Sequence, residues 1–258
     1  MAPDPGPFTG AMTGIAAGVR PALVGISHGT SSADGHNAIA GLMAAVESRY
    51  PDIEVHSGYV DVELPNVPET LALVPHETDI VVVPLLLSAG YHVHVDLARA
   101  ARAGGPRVAL APALGPDPRL ARILRDRLWE AGYQPGDHVI MAAAGSSDAR
   151  AIKDCEVVAT QLAAELGNGV TLAYHSAHSP SLTEAITDAR ERAPERRIIV
   201  SSYLLAPGFF HSRAESSAAD RVTEPILSSS FGPPESLVEL VGDRYRAEAM
   251  SRGGETGS

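Results

Sequence analysis

The sequence predicts an α/β protein made of two tandem homologous modules, each a parallel sheet flanked by helices. Three observations predict it. Short, almost wholly apolar runs alternate with helical patterns, as expected of strands covered on both faces. The order of elements in the first half recurs in the second. Matched landmarks in the two halves lie a nearly constant 115–118 residues apart.

In the first half, residues 22–26 read as a strand and 35–49 as a helix. Residues 53–60 read as a strand and 66–74 as a helix opened by the capping box Asn66-x-x-Glu69. Residues 80–87 form the strongest strand pattern, around Val81, Val82 and Val83. A helix over 95–103, a strand over 108–111 and a helix over 118–131 complete the module. After a short linker, 132–137, the second half gives a strand at 138–143 and a helix at 148–166. A strand at 170–174, a helix at 181–193 and an apolar strand at 198–205 follow.

The repeat is visible residue by residue. Gly29-Thr30-Ser31 matches Gly145-Ser146-Ser147, and Asn66-x-x-Glu69 matches Ser181-x-x-Glu184. Leu86-Leu87-Ser88-Ala89-Gly90 matches Leu204-Leu205-Ala206-Pro207-Gly208. The modules are accordingly expected at 21–134 and 135–247, between a flexible tail at 1–20 and a disordered one at 248–258.

Composition narrows the function. The 258 residues carry a formal charge of −11, which argues against a nucleic-acid or anionic-membrane partner. Residues 1–20 lack the basic start of a signal peptide, and no apolar run is long enough to span a bilayer. Cys155 is the only cysteine, so an internal disulfide and a cysteine metal cluster are both excluded. A reducing cytoplasm is the expected compartment.

Open parallel sheets gather ligands at the carboxyl ends of their strands. In the first half, polar residues fall there: His28 after strand one, Asp61 after strand two, His92 and His94 after strand three. Imidazole and carboxylate together suit a borderline divalent metal. The second half acts as an internal control. His28, Asp61 and His92 align with Ala144, Ser176 and Phe210, while glycines and caps persist. Residues needed only for folding would be needed in both copies. His175, His178 and His211 lie near but out of register and are expected to be surface or pocket-wall histidines.

Two segments carry a family resemblance. Leu23-Val24-Gly25-Ile26-Ser27-His28-Gly29-Thr30 and Val83-Pro84-Leu85-Leu86-Leu87-Ser88-Ala89-Gly90-Tyr91-His92-Val93 resemble the sirohydrochlorin chelatases. These class II chelatases insert iron or cobalt into the tetrapyrrole sirohydrochlorin. The resemblance extends from about Ala22 to Arg246 and includes the two-module form with one active half.

It implies that His28 is a metal ligand and proton acceptor and His92 a second ligand. It also implies a tetrapyrrole pocket lined by Leu87, Ser88, Ala89, Gly90 and Tyr91. The family's acidic position falls on Asp61, with Glu63 nearby as the alternative carboxylate. Ser27 and Thr30 stand where glycine and serine are usual. Arg99 and Arg102, on the following helix, are expected to meet the substrate's carboxylates. The implied metal is a substrate, Fe2+ or Co2+, and no permanent cofactor is expected. Two other readings compete with this one: a non-catalytic metal or tetrapyrrole carrier, and a duplicated small-molecule binding module.

Overall fold

The computed structural model describes residues 20–88, 90–228 and 230–255, and the side chains of all of these except 91–94 and 252–255. It contains two four-stranded, all-parallel sheets of the same topology. The first comprises β1 (Ala22–Ser27), β2 (Val55–Tyr59), β3 (Ile80–Pro84) and β4 (Val108–Leu110), in the order β2-β1-β3-β4. The second comprises β5 (His138–Ala143), β6 (Val170–Tyr174), β7 (Ile198–Tyr203) and β8 (Arg221–Val222), in the order β6-β5-β7-β8.

The helices are α1 (Ala33–Arg49), α2 (Val67–Leu73), α3 (Tyr91–Ala103) and α4 (Pro118–Glu130) in the first half, and α5 (Ala149–Leu166), α6 (Leu182–Arg192), α7 (Phe209–Glu215) and α8 (Glu235–Glu255) in the second. Both predicted capping boxes form: Asn66 with Glu69 opens α2, and Ser181 with Glu184 opens α6. The central strands β1, β3 and β7 are buried along their whole length. Their apolar runs follow from this, because helices cover both sheet faces.

The sequence repeat and the spatial lobes do not coincide. Helix α4, which ends the first repeat, packs on β7 and α5 of the second sheet. Helix α8, which ends the second repeat, packs on α1 and β3 of the first. Its apolar stripe of Leu237, Val238, Leu240, Val241 and Tyr245 is buried there, and the Tyr245 hydroxyl donates to the carbonyl of Pro21 at 2.7 Å. Arg244 donates to the carbonyls of Ala113 and Leu114, both at 2.9 Å. Arg119 of α4 bonds Asp243 of α8 at 2.6 Å. Each lobe thus borrows its last helix from the other, and one apolar cluster, from Leu23 and Val81 to Val139 and Ile199, runs through both.

Three expectations need correction. Helix α3 starts at Tyr91, four residues before the predicted start, because Gly90 caps it without a side-chain bond and leaves no capping signal to read. Helix α8 extends to Glu255, through most of the segment expected to be a disordered tail. Helix α7, strand β8 and residues 235–247 of α8 are elements where none had been assigned. Residues 1–19 of the predicted tail at 1–20, together with Ala89, Ser229 and residues 256–258, lie outside the described residues.

Candidate functional site

In both sheets the strand order reverses between the two central strands, and a crevice opens there at their carboxyl ends. The two crevices face one another. Together they enclose a cavity of about 720 Å3, lined on one side by residues 27–31, Val62, Glu63, residues 85–88 and Gly90. Residues 143–147, Ser176 and 203–211 line the other side.

His28 leaves β1 at this rim and is exposed to the cavity. Its backbone is fixed by the amide of Asp61, which donates to the His28 carbonyl at 3.1 Å. Gly29 follows with φ of +92°, and a Cβ there would lie 2.0 Å from the Asp61 carbonyl oxygen. Gly145 repeats the arrangement, with φ of +94° and 1.8 Å to the Ser176 carbonyl oxygen. Only glycine fits this left-handed, close-packed turn, so the matched glycines serve the fold. The histidine before the first glycine is peculiar to that half.

The carboxylate at the cavity wall is Glu63, while Asp61, the position the alignment suggested, lies outside the lining. Val62 has φ of +68°, an uncommon conformation for a β-branched residue. The Glu63 amide donates to the Asp61 carbonyl at 2.8 Å across it, closing a three-residue γ-turn. Asp61 is exposed, and its carboxylate accepts from the adjacent Val62 amide at 2.8 Å. The turn brings Glu63 to the cavity wall instead. Glu63 Oε1 accepts from the Thr30 amide at 2.7 Å, and Oε2 lies 2.5 Å from His36 Nδ1. The Tyr59 ring stacks on His36, with centroids 6.2 Å apart. Burial, aided by the Glu63 charge, raises the Tyr59 phenol above its ordinary pKa.

Sequence reasoning passed over His36. It lies one turn into α1, after the Ser32 cap, and the only available signal was its place beside the rim loop.

His92 lies in the first turn of α3. Its side chain, with those of Tyr91 and His94, lies outside the described residues, as does Ala89. The backbone of this stretch is helical rather than extended. Leu87, Ser88 and Gly90 do line the cavity. The Leu87 carbonyl accepts from the hydroxyl of Tyr203 at 3.0 Å, a bond between lobes. Burial, with the charges of Cys155 and Asp154, pushes the Tyr203 phenol far up, so it acts as a neutral donor.

Arg99 and Arg102 are not at the cavity. Helix α3 leads away from the rim at about 1.5 Å per residue, which puts both residues more than ~10 Å along it. Arg99 is exposed and lies 3.6 Å from Asp96. Arg102 lines a separate shallow groove with Ala98, Gly105 and Pro106. Among the described residues no three His, Cys, Asp or Glu side chains form a group suited to hold a metal.

The second lobe has the same frame with different contents. Ser176, in the Asp61 position, donates its hydroxyl to the Ala144 carbonyl at 3.0 Å. Phe210, in the His92 position, stacks on His175 with centroids 5.1 Å apart. His175 is buried, and its Nε2 has no hydrogen-bond partner. Burial, then the charges of Arg213 and His211, push its pKa down to about 4. His211 is buried with Nδ1 3.2 Å from the Ser202 hydroxyl, whereas His178 is exposed and edge-on to Tyr174.

A family model, CbiX, matches the chain twice, over residues 22–131 and 138–248. Among solved structures, SirB from Bacillus subtilis with Fe3+ gives a TM-score of 0.77 at 17% identity, covering 91% of this chain and 98% of that one. SirB from Bacillus subtilis subspecies spizizenii, in complex with cobalt, gives 0.68 at 16% identity, covering 91% and 97%. CbiX, the terminal enzyme for siroheme biosynthesis in denitrifying bacteria, gives 0.64 at 20% identity, covering 88% and 98%. No curated protein matches the chain.

Proposed function

The chain belongs to the CbiX family, and on that premise we propose that it inserts a divalent metal into sirohydrochlorin, with release of two protons. The observation that carries the reading is the asymmetry of the cleft. Both rims keep the glycine turn, but only the first sets an imidazole, His28, directly before that glycine and a carboxylate, Glu63, at the cavity wall; the second has Ala144 before its glycine, and its wall histidine, His211, is buried against the Ser202 hydroxyl. A shared fold explains the turns and leaves the two functional groups to chemistry.

Insertion replaces two pyrrole N–H protons by a divalent ion. The protein must hold the ion loosely, take up protons and keep the macrocycle flat against the site. Neutral imidazoles and a carboxylate bind borderline ions without the grip of thiolates. In this reading His28 holds the incoming ion and accepts a proton once the ion has passed to the ring. Glu63 is tied to the His28 loop through Thr30 and supplies negative charge at the same rim. His92, in the first turn of α3, is proposed as the second imidazole. Small residues on both rims, Gly29, Gly90, Ala144 and Gly145, let a flat ring approach the backbone.

We take Fe2+ as the physiological metal and sirohaem as the product, with Co2+ as the alternative substrate. The CbiX relative of denitrifying bacteria serves siroheme biosynthesis, while the SirB structures hold iron or cobalt. The reading places the enzyme in the cytoplasm, in keeping with its lone buried thiol, Cys155. No helix of the described residues is long and apolar enough to cross a membrane. The deciding experiment is an anaerobic insertion assay with sirohydrochlorin and Fe2+, Co2+, Ni2+ or Zn2+, followed by absorbance. Turnover with proton release supports the proposal. Stoichiometric binding without insertion would make the protein a carrier.

A further inference from the structure

The second lobe carries a ladder of side chains that ends in the cleft. His175 is at its base, stacked on Phe210 with planes within 16°. Phe209 leans on Phe210 at 5.7 Å and 52°. The guanidinium of Arg213, one turn along α7, sits 5.8 Å above the Phe209 ring. Phe209 lines the cavity yet is 71% exposed.

A large aromatic left uncovered on a cavity wall is the informative kind of exposed apolar residue. Here it is also held in place by the ring behind it and the cation above it. The adjoining Gly208 brings it to the first lobe, since a Cβ at Gly208 would lie 3.4 Å from Thr30 Oγ1. Phe209 therefore follows directly on a residue that meets the loop after His28, and the two line the same cavity. The His175 imidazole beneath Phe210 is neutral at physiological pH, because burial pushes its pKa down to about 4. The base of the ladder thus adds no charge to the apolar surface.

We propose that Phe209 is a substrate-positioning residue, the surface on which one face of the tetrapyrrole stacks while Arg213 pairs with a carboxylate on the ring's edge. The occupant follows from the chemistry: a flat conjugated surface for the phenyl ring and an anion for the guanidinium, within a cleft floored by small residues. The second module, having lost its metal-binding side chains, retains the task of holding the macrocycle against the first. This inference rests on the function proposed above.

The test is anaerobic titration of the full chain with metal-free sirohydrochlorin, read by the macrocycle's absorbance, alongside steady-state insertion. Phe209→Ala should weaken binding and raise KM by roughly tenfold, the scale of one lost aromatic stack, and change kcat by less than about threefold. Phe209→Tyr should restore most of the affinity. Arg213→Ala should weaken binding by a similar factor, and the loss should shrink as salt is raised. Each variant should unfold near the wild-type temperature. His28→Ala should bind the macrocycle normally and fail to metallate it. Unchanged Kd and KM in Phe209→Ala would overturn the inference. Wild-type protein that binds sirohydrochlorin and inserts no metal would overturn the proposed function, while the Phe209→Ala titration would still decide this inference. Absence of macrocycle binding by the wild type would overturn both.

Discussion

The amide of Thr30 donates to the carboxylate of Glu63 at 2.7 Å, tying the loop after β1 to the loop after β2 across the mouth of the cleft. With the pairing to His36, it leaves Glu63 fixed at both oxygens. A carboxylate so held presents its charge in one place at the cavity wall.

Glu63→Gln is expected to lower metal insertion by about two orders of magnitude, the scale of losing a charged group at the reacting centre. Asp61→Ala should act on the turn, costing about 1 kcal/mol of stability through the lost Val62 bond, with a smaller effect on rate. Insertion kinetics and urea unfolding of both variants check this. A larger rate loss in Asp61→Ala would return the functional role to Asp61.

His28→Ala and His92→Ala should each reduce insertion roughly a hundredfold or more and leave the fold intact, since Ala144 and Phe210 occupy the same positions in the second lobe. His211→Ala should behave in the opposite way. It removes the partner of the buried Ser202 hydroxyl and should cost about 2 kcal/mol of stability. Loss of folding in His28→Ala would make that residue structural.

His175 should make stability depend on pH. Its folded pKa, about 4, lies below the ordinary histidine value of 6.5, so the unfolded chain takes up the proton first. Stability is therefore full above pH 6.5, falls as pH drops toward 4, and levels off below that. The full loss is at most about 3 kcal/mol. Denaturant titrations of wild type and His175→Phe at pH 7.5 and 5 measure it. An equal pH dependence in the two proteins would contradict the assignment.

Gly29→Ala and Gly145→Ala should each destabilise the protein by about 3 kcal/mol, because a Cβ meets a carbonyl oxygen and the left-handed φ penalises it. The pair separates fold from function. Gly145→Ala should retain insertion at temperatures where the variant remains folded, whereas Gly29→Ala should lose insertion as well, through displacement of His28. Equal rate losses in both would show that the turns act through stability alone.

The exchange of α4 and α8 predicts a single cooperative unfolding transition for the whole chain. Residues 21–134 expressed alone should not give a folded monomer, since β3 and α1 would lose the helix that covers them. Joining residues 235–255 to residues 20–115 through a flexible linker should rescue folding. Circular dichroism and size-exclusion chromatography distinguish the outcomes, and a stable monomer of 21–134 would refute the exchange as a folding requirement.

Local pattern in the sequence determined most of the secondary structure and placed His28 at the carboxyl end of its strand, where the cavity opens. Apolar strands, glycine turns and capping boxes are encoded within a few residues of where they act, and the repeat supplied a second copy against which His28 stood out. Three matters were decided only in three dimensions. One was which of Asp61 and Glu63 reaches the cavity wall, which turns on the φ of Val62 and on contacts to Thr30 and His36, more than twenty-five residues away in the chain. Another was the fate of Arg99 and Arg102, which depends on the direction in which α3 leaves the rim. The last was the partner of each terminal helix. An amphipathic stripe specifies that a helix must cover an apolar face, but the hydrophobic effect is non-directional. Which face it covers was settled by the sheet surfaces left open once both lobes had come together.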